Sequence, residues 1–450
     1  TMASLVEWAS VAVVGLIALQ ILLSVVRNVT RRAYRVPPRI TFQARLINWA
    51  LWPKSLFQIG PQFRPLTFEG LKKFASKKTK LTDFGDPWFE GAFKFALELV
   101  HQNGYQYSPL GKLITFDSFE RRLEARLRVK AELKDFPQAK DTPLLPPVFV
   151  LGLPRTGTTF LHHLLSLDPT VRYPKTWELF DPARLPKYRD DPTRDAHKRR
   201  QFVQNGIKRI KGIVPHIEAI HEIGADEPEE CLIAIGMDMP LIFCTMPAYM
   251  SRLQILKEWD LTTAYANHYE TLQLMAFQQS SQDKRWCLKC PMHLGFIRCI
   301  QKVFPQGTKI VWTHRDPCES IPSLSSLFQT MLEMHTLEDI RVDEVGQTTL
   351  KFWSEMLKRA DEDIKSDKSG HSHVQYRQLI KDPISVVKQL YQDFGWEFTR
   401  EYEQKLEEYI AENKKKREEK AFQKGKALHK YSLEQYGLTK EAVHAEVSWY

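Results

Sequence analysis

The run from Val148 to Leu165 constrains the rest of the chain most. Val148-Phe149-Val150-Leu151 is apolar, β-branched and aromatic; Gly152-Leu153-Pro154-Arg155-Thr156-Gly157-Thr158-Thr159 follows, and then Phe160, Leu161, Leu164 and Leu165 at helical spacing. A strand that turns through glycines into a helix is an anion-binding arrangement. Loop N–H groups and the helix start point at the anion, and the Thr hydroxyls add donors; an ordinary strand-to-helix turn is the plainer alternative. The spacing Gly152-x4-Gly157 matches the first half of a nucleoside-triphosphate loop, but Thr158 stands where the lysine belongs. Nothing then reaches the β and γ phosphates, and the basic residue lies earlier, at Arg155. The expected fold is α/β and P-loop-like, three layers with a central, mostly parallel sheet flanked by helices.

Composition narrows the class. The chain has 450 residues, 43% hydrophobic and 11% aromatic, with 20 Gly and 26 Pro, which excludes disordered, collagen-like and low-complexity classes. Its net charge of +10 suits a polyanionic ligand or an anionic membrane surface, and equally an ordinary basic enzyme. A nucleic-acid partner is disfavoured, because Lys414-Lys415-Lys416-Arg417 runs straight into Glu418-Glu419 and no basic block interleaves with aromatics. The six cysteines lie in the second half, mostly inside apolar runs, which is not a disulfide framework. Cys287 and Cys290 form a lone C-x-x-C without a second pair at zinc spacing; they read as small apolar side chains in and just after a strand, and no metal site is expected.

Ahead of this region Trp8 to Val26 is apolar except for Ser10, Gln20 and Ser24. As a helix it is about 28 Å long, close to the hydrocarbon thickness. Glu7 precedes it and Arg27, Arg31, Arg32 and Arg35 follow, the reverse of a cleaved signal peptide. We expect a single-pass transmembrane helix over residues 8–26 with the main body in the cytosol, a lumenal Golgi orientation being the alternative. Residues 27–65 read as a juxtamembrane linker punctuated by prolines, in which Arg39 to Trp52 fits either an interfacial helix on the headgroups or a helix packed on the main domain. A helical segment is expected over 66–145, with Phe93, Leu97, Val100 and then Phe119, Leu123, Leu127 at helical spacing. An α/β domain over 146–396 and a helical tail over 397–450 packing on it complete the plan.

A second motif lies further on. Lys309-Ile310-Val311-Trp312-Thr313-His314 reads as a strand ended by Arg315, with Ser323 eight positions later at the start of the next helix. Arg offers a fork of donors to phosphate oxygens, and a hydroxyl at a helix start sits beside free N–H groups. The plainer alternative is a surface turn with an Arg315-Asp316 charge pair. Together with Pro154-Arg155-Thr156-Gly157-Thr158-Thr159, this pattern resembles the sulfotransferases that use 3′-phosphoadenosine 5′-phosphosulfate (PAPS). Phe160 stands where that family places an aromatic on adenine, and Tyr376 opens a Tyr376-x-x-Leu379-x-x-Asp382-Pro383 run similar to the family's at a strand end. Leu288-Lys289-x-Pro291-x-His293-Leu294, the stretch from His221 to Cys231 and the one from His429 to Leu438 resemble a broad bacterial and algal branch.

The resemblance implies in-line transfer of a sulfuryl group from PAPS to an acceptor hydroxyl or amine, releasing adenosine 3′,5′-bisphosphate with no metal required. It implies cofactor contacts from Arg155, Thr156, Gly157, Thr158, Thr159, Phe160, Arg315, Ser323 and Tyr376, and catalytic cations at Arg155 and Lys289. The general base stays open among Glu178, His293 and His221. Related branches use a Glu shortly after the loop helix, where Glu178 stands, or a Lys-x-His, whose His is displaced here to His293. As plain structure, Glu178 is a helix N-terminal carboxylate and either His a hydrogen-bonded core residue. The acidic stretch Glu222, Asp226, Glu227, Glu229 and Glu230 fits a metal or a cationic acceptor in principle but reads first as a solvated face. The anchor and the apolar stretch from Ile233 to Met250 point to a small-molecule or lipid-like acceptor such as a sterol. The competing readings are a degenerate P-loop nucleotide-binding protein or kinase and a non-catalytic member of the fold.

Overall fold

The computed structural model describes residues 20, 35–102, 104–214, 223–240, 252, 259–366, 370–424 and 431–450. The span expected to cross a membrane, residues 8–26, lies outside the described residues apart from residue 20, and so do His221, Glu222 and residues 241–250. Among the described residues no helix is long and apolar enough to cross a membrane.

The strands are β1 (Arg35–Val36), β2 (Val148–Gly152), β3 (Val171–Arg172), β4 (Arg285–Lys289), β5 (Lys309–His314), β6 (Ile340–Arg341) and β7 (His371–Gln375). Five form one parallel sheet in the order β3-β4-β2-β5-β7, while β1 and β6 pair antiparallel apart from it. Central β2 is buried along its whole length, which is why its sequence is an unbroken apolar run. Edge strand β7 instead alternates, with Ser372 and Val374 buried and His373 and Gln375 exposed.

Alternation along the strands sorts side chains into two cores. Phe149, Leu151, Trp286, Leu288, Ile310 and Trp312 face one, joined by Phe93 of the helix Trp88–Gln102 and Phe119 of the helix Pro109–Asp135. Val148, Val150, Cys287 and Val311 face the other, joined by Leu161 and Leu164 of the helix Thr158–Leu165 and by Tyr402 and Leu406 of the helix Arg400–Lys424. This is the expected three-layer α/β arrangement. The helices between residues 66 and 145 share the first core with the sheet rather than enclosing one of their own. Burial pushes the thiols of Cys287 and Cys290 above their usual range, as suits apolar filler.

From β2 the chain crosses to β3 and β4 on one side of it and then to β5 and β7 on the other, so the carboxyl ends of β4, β2 and β5 meet at a topological switch point. Ligands of open α/β sheets collect there.

Candidate active site

Gly152 ends β2 at φ +152°, and a Cβ on it would stand 2.6 Å from the Thr313 carbonyl oxygen; no side chain fits between the loop and β5. Gly157, at φ +91°, is the N-cap of the helix Thr158–Leu165 and lies so close to Tyr376 that a Cβ would fall 3.0 Å from its ring. Between them Arg155 takes φ +74°, an uncommon conformation for a residue with a Cβ, which its surroundings must hold in place. The first helical bond runs from Leu161 N–H to Gly157 O. The N–H groups of Thr158, Thr159 and Phe160 therefore lie outside the helix's own ladder, at its positive end.

Thr156 departs from its expected role. It is fully buried, its N–H donates to Leu153 O, and its hydroxyl donates to the same oxygen and meets Thr313 Oγ1, both at 2.6 Å. Its side chain shapes the loop and pins it to β5 instead of facing a ligand. Phe160 is half-buried and stacks on Tyr409, ring centroids 6.5 Å apart.

Arg315 joins the two motifs. Its Nη1 donates to the Arg155 carbonyl oxygen at 2.9 Å, its Nε and Nη2 bind Glu319, and its guanidinium carbon lies 4.3 Å from the centre of the Tyr376 ring, a cation–π contact. Ser323 is placed differently from expectation. The helix is Pro317–Glu333, with Asp316 as N-cap accepting from Cys318 N–H at 2.8 Å. Ser323 thus sits in the second turn, away from the free N–H groups of the helix start. Asp316-Pro317, an N-cap followed by proline at the first helical position, is the sequence signal that marks the true start.

Lys289 ends β4 fully buried and donates from Nζ to Glu230 Oε1 at 2.8 Å. It shares a face of the sheet with Cys287, the face against which the loop helix packs. Burial disfavours its charge, but the Glu230 and Glu229 carboxylates outweigh that and hold the ammonium above its usual value. Glu230 keeps 22% of its side chain exposed, Glu229 is buried, and Asp226 pairs with Arg200 at 2.8 Å. The solvated face expected for the acidic stretch holds for Asp226 and Glu227, which are exposed, and is corrected for Glu229 and Glu230, which act on the buried cation. Glu230 escaped sequence reasoning because its partner is 59 residues away and no local pattern announces the pair.

Both described base candidates are held by other groups. Glu178, in the helix Thr176–Phe180, accepts from Lys175 N–H at 3.0 Å and from Gln279 Nε2 at 2.6 Å, with Arg172 3.6 Å away. Both oxygens are engaged in a buried cluster near the opening of β4, where Arg172 pairs with Trp286; its observed role is the helix N-terminal carboxylate. His293 is fully buried, with Nδ1 2.7 Å from the Tyr265 hydroxyl. It packs edge-on against Phe149, whose side chain lies on the face of the sheet opposite Lys289. Burial, with the nearby His268 and Lys289, drives its pKa well below the usual value, leaving a neutral core histidine. Among the described residues one cluster of metal-ligand type, Asp316, Cys318 and His444, brings its ligand atoms within 4.8 Å of one another, but the Asp316 carboxylate already caps a helix.

A cavity of about 300 Å³ lies nearby, with Arg39, Ser326, Gln329, Tyr431 and Tyr436 in its wall. Tyr431 is close enough to Arg155 to act on its charge, and Ser326 is one turn along the helix from Ser323.

A glycine-shaped loop at the switch point of a parallel sheet, clamped by a strand-end Arg and flanked by a buried Lys, defines a P-loop-like transferase fold. Residues 146–400 match the Sulfotransferase family, and the chain belongs to it. Over 280 residues, 60% of this chain and 67% of the relative, it is 24% identical to Omega-hydroxy-beta-dihydromenaquinone-9 sulfotransferase Stf3 of Mycobacterium tuberculosis. The sulfotransferase STF1 from Mycobacterium tuberculosis H37Rv superposes with a TM-score of 0.68 at 26% identity, covering 86% of this chain and 99% of that one. STF9 from Mycobacterium avium gives 0.70 at 25% identity, covering 85% and 95%. The parallel-sheet fold and the family expected from the motifs are thereby established.

Proposed function

We propose that the chain moves a sulfuryl group from PAPS to the hydroxyl of an amphipathic, lipid-like alcohol and releases adenosine 3′,5′-bisphosphate. The observation that carries this reading is the clamp of Arg315 on the Arg155 carbonyl and over the Tyr376 ring. It joins an amide-lined loop suited to a 5′-phosphosulfate to a guanidinium fork that a 3′-phosphate, a group that ATP lacks, can take over from Glu319. Arg155 and Lys289 supply the charge that stabilises the leaving bisphosphate, without a metal step. The acceptor oxygen bonds to sulfur as the bond from sulfur to the 5′-phosphate oxygen breaks, and a carboxylate takes the acceptor proton. Glu230, beside Lys289 and partly exposed, fits that task better than Glu178 or His293.

A lipid-like acceptor is supported by the relative that acts on a menaquinone derivative and by a cavity large enough for the hydroxyl-bearing end of such a molecule. The proposal includes a single-pass anchor over residues 8–26 with the body in the cytosol. Thermal melts with adenosine 3′,5′-bisphosphate, 5′-ADP and ATP in the absence of metal test the cofactor. Stabilisation by the bisphosphate alone is expected; an equal response to ATP, or none to any of the three, overturns the reading.

A further inference from the structure

Eight of the thirteen large hydrophobic side chains exposed among the described residues fall between Phe42 and Ile59. That concentration is not the scattered exposure normal for a soluble surface. The helix Phe42–Leu56 has an inward face and an apolar outward face. At about 100° per residue, Ala44, Asn48 and Leu51 form one stripe and Phe42, Leu46, Trp49 and Leu56 the stripe opposite. Ala44 and Asn48 are buried, and Asn48 Oδ1 accepts from Leu110 N–H at 2.9 Å, so the first stripe is packed on the helix Pro109–Asp135. The second points outward, with Phe42 74%, Trp49 60% and Leu56 65% exposed, and the chain leaves the helix through Phe57, 70% exposed.

We propose that this outward face lies in the headgroup region of an anionic phospholipid bilayer and sets the mouth of the neighbouring cavity at that depth. Three observations choose lipid as the occupant. Half of the stripe is aromatic, and Trp49 within it and Trp52 beside it, both exposed, have the amphipathic rings that favour the interface. Exposed Arg45 and Lys54 flank it, complementary to anionic headgroups. An apolar run of bilayer length precedes it in the sequence, followed by Arg27, Arg31 and Arg32. The same segment supplies Val36 and Arg39 to the cavity wall. A docked helix therefore lets the hydroxyl of a membrane alcohol enter the cavity while its tail stays in the bilayer. That last step rests on the sulfotransferase reading; the docking itself does not.

The test uses the full chain with an environment-sensitive fluorophore on W49C or, as control, on E401C, in phosphatidylcholine and phosphatidylglycerol vesicles with and without brominated acyl chains. Quenching at position 49 and none at position 401 is expected. An unquenched label at 49 on vesicle-bound protein overturns the proposal. So does a label already shielded without vesicles, which would mean that an upstream segment of this chain or a second copy covers the face. L46E combined with W49E should keep the thermal response to adenosine 3′,5′-bisphosphate. It should lose on the order of tenfold in transfer to a long-chain alcohol in vesicles and leave transfer to a short water-soluble alcohol unchanged. Equal loss on both acceptors overturns the coupling of docking to the cavity. Absence of any bisphosphate response in the parent protein instead defeats the cofactor reading, and the quenching result still judges the face.

Discussion

The guanidinium of Arg315 donates to the carbonyl oxygen of Arg155 across 160 residues of sequence, at 2.9 Å. One side chain thereby fixes the loop through Nη1 while its Nε and Nη2 pair with Glu319. Arg315→Ala is expected to weaken adenosine 3′,5′-bisphosphate binding by about 2–3 kcal/mol, roughly 30- to 150-fold, in a calorimetric titration. Arg315→Lys should recover little, because an ammonium cannot reproduce the planar fork or the stacking on Tyr376. Binding within about threefold of the parent in Arg315→Ala would remove Arg315 from the cofactor site.

Lys289 and Glu230 form a pair with one fully buried member. Glu230→Ala leaves the ammonium without its counter-charge and should cost about 2–3 kcal/mol in urea unfolding, less than for a wholly buried pair because Glu230 is partly exposed. Lys289→Met in the same chain should restore much of that stability and none of the transfer activity. Additive losses in the double variant would show that the two groups are not coupled.

Two glycines give an internal contrast. Gly152→Ala puts a methyl against the Thr313 carbonyl and should abolish the bisphosphate response, with a stability loss above about 3 kcal/mol. Gly395, at φ +68° with nothing within 4 Å of an added Cβ, should lose only about 1 kcal/mol on mutation to Ala, the cost of the left-handed backbone alone. Similar melting temperatures for the two variants would contradict the tight fit at β2.

Acid stability follows from buried neutral histidines. Burial lowers His268 and His335 to about 4 each, and drives His162 and His293 well below the usual value. Depressed folded-state pKa values mean stability that is present above the unfolded value, about 6.5, and lost as pH falls toward the folded one. Below about pH 6.5 each such histidine should remove up to about 1.4 kcal/mol per pH unit. His268, with no hydrogen-bond partner at either ring nitrogen, is the one to replace: His268→Phe should flatten the slope between pH 6.5 and 5 in urea titrations. An unchanged slope would assign the acid transition to other groups.

The chain's own order determined the parts of this protein that recognise by local backbone. The run from Val148 to Thr159 reads as strand, turn and helix because an apolar run meets glycines at 152 and 157, which take positive φ without strain, and Arg315 was legible because the apolar run of β5 ends just before it. Even the error over Ser323 was local, since Asp316-Pro317 marks the helix start. Tertiary structure decided the rest. Thr156 turned inward only because β5 presents Thr313 to it, Glu178 was taken up by Gln279 and Arg172, and His293 fell on the far side of the sheet against Phe149. Glu230 gained its place by meeting Lys289. A phosphate loop is written in consecutive residues because its donors are backbone groups, whereas a side chain's charge state and task depend on which distant groups the packed sheet brings within a few ångströms of it.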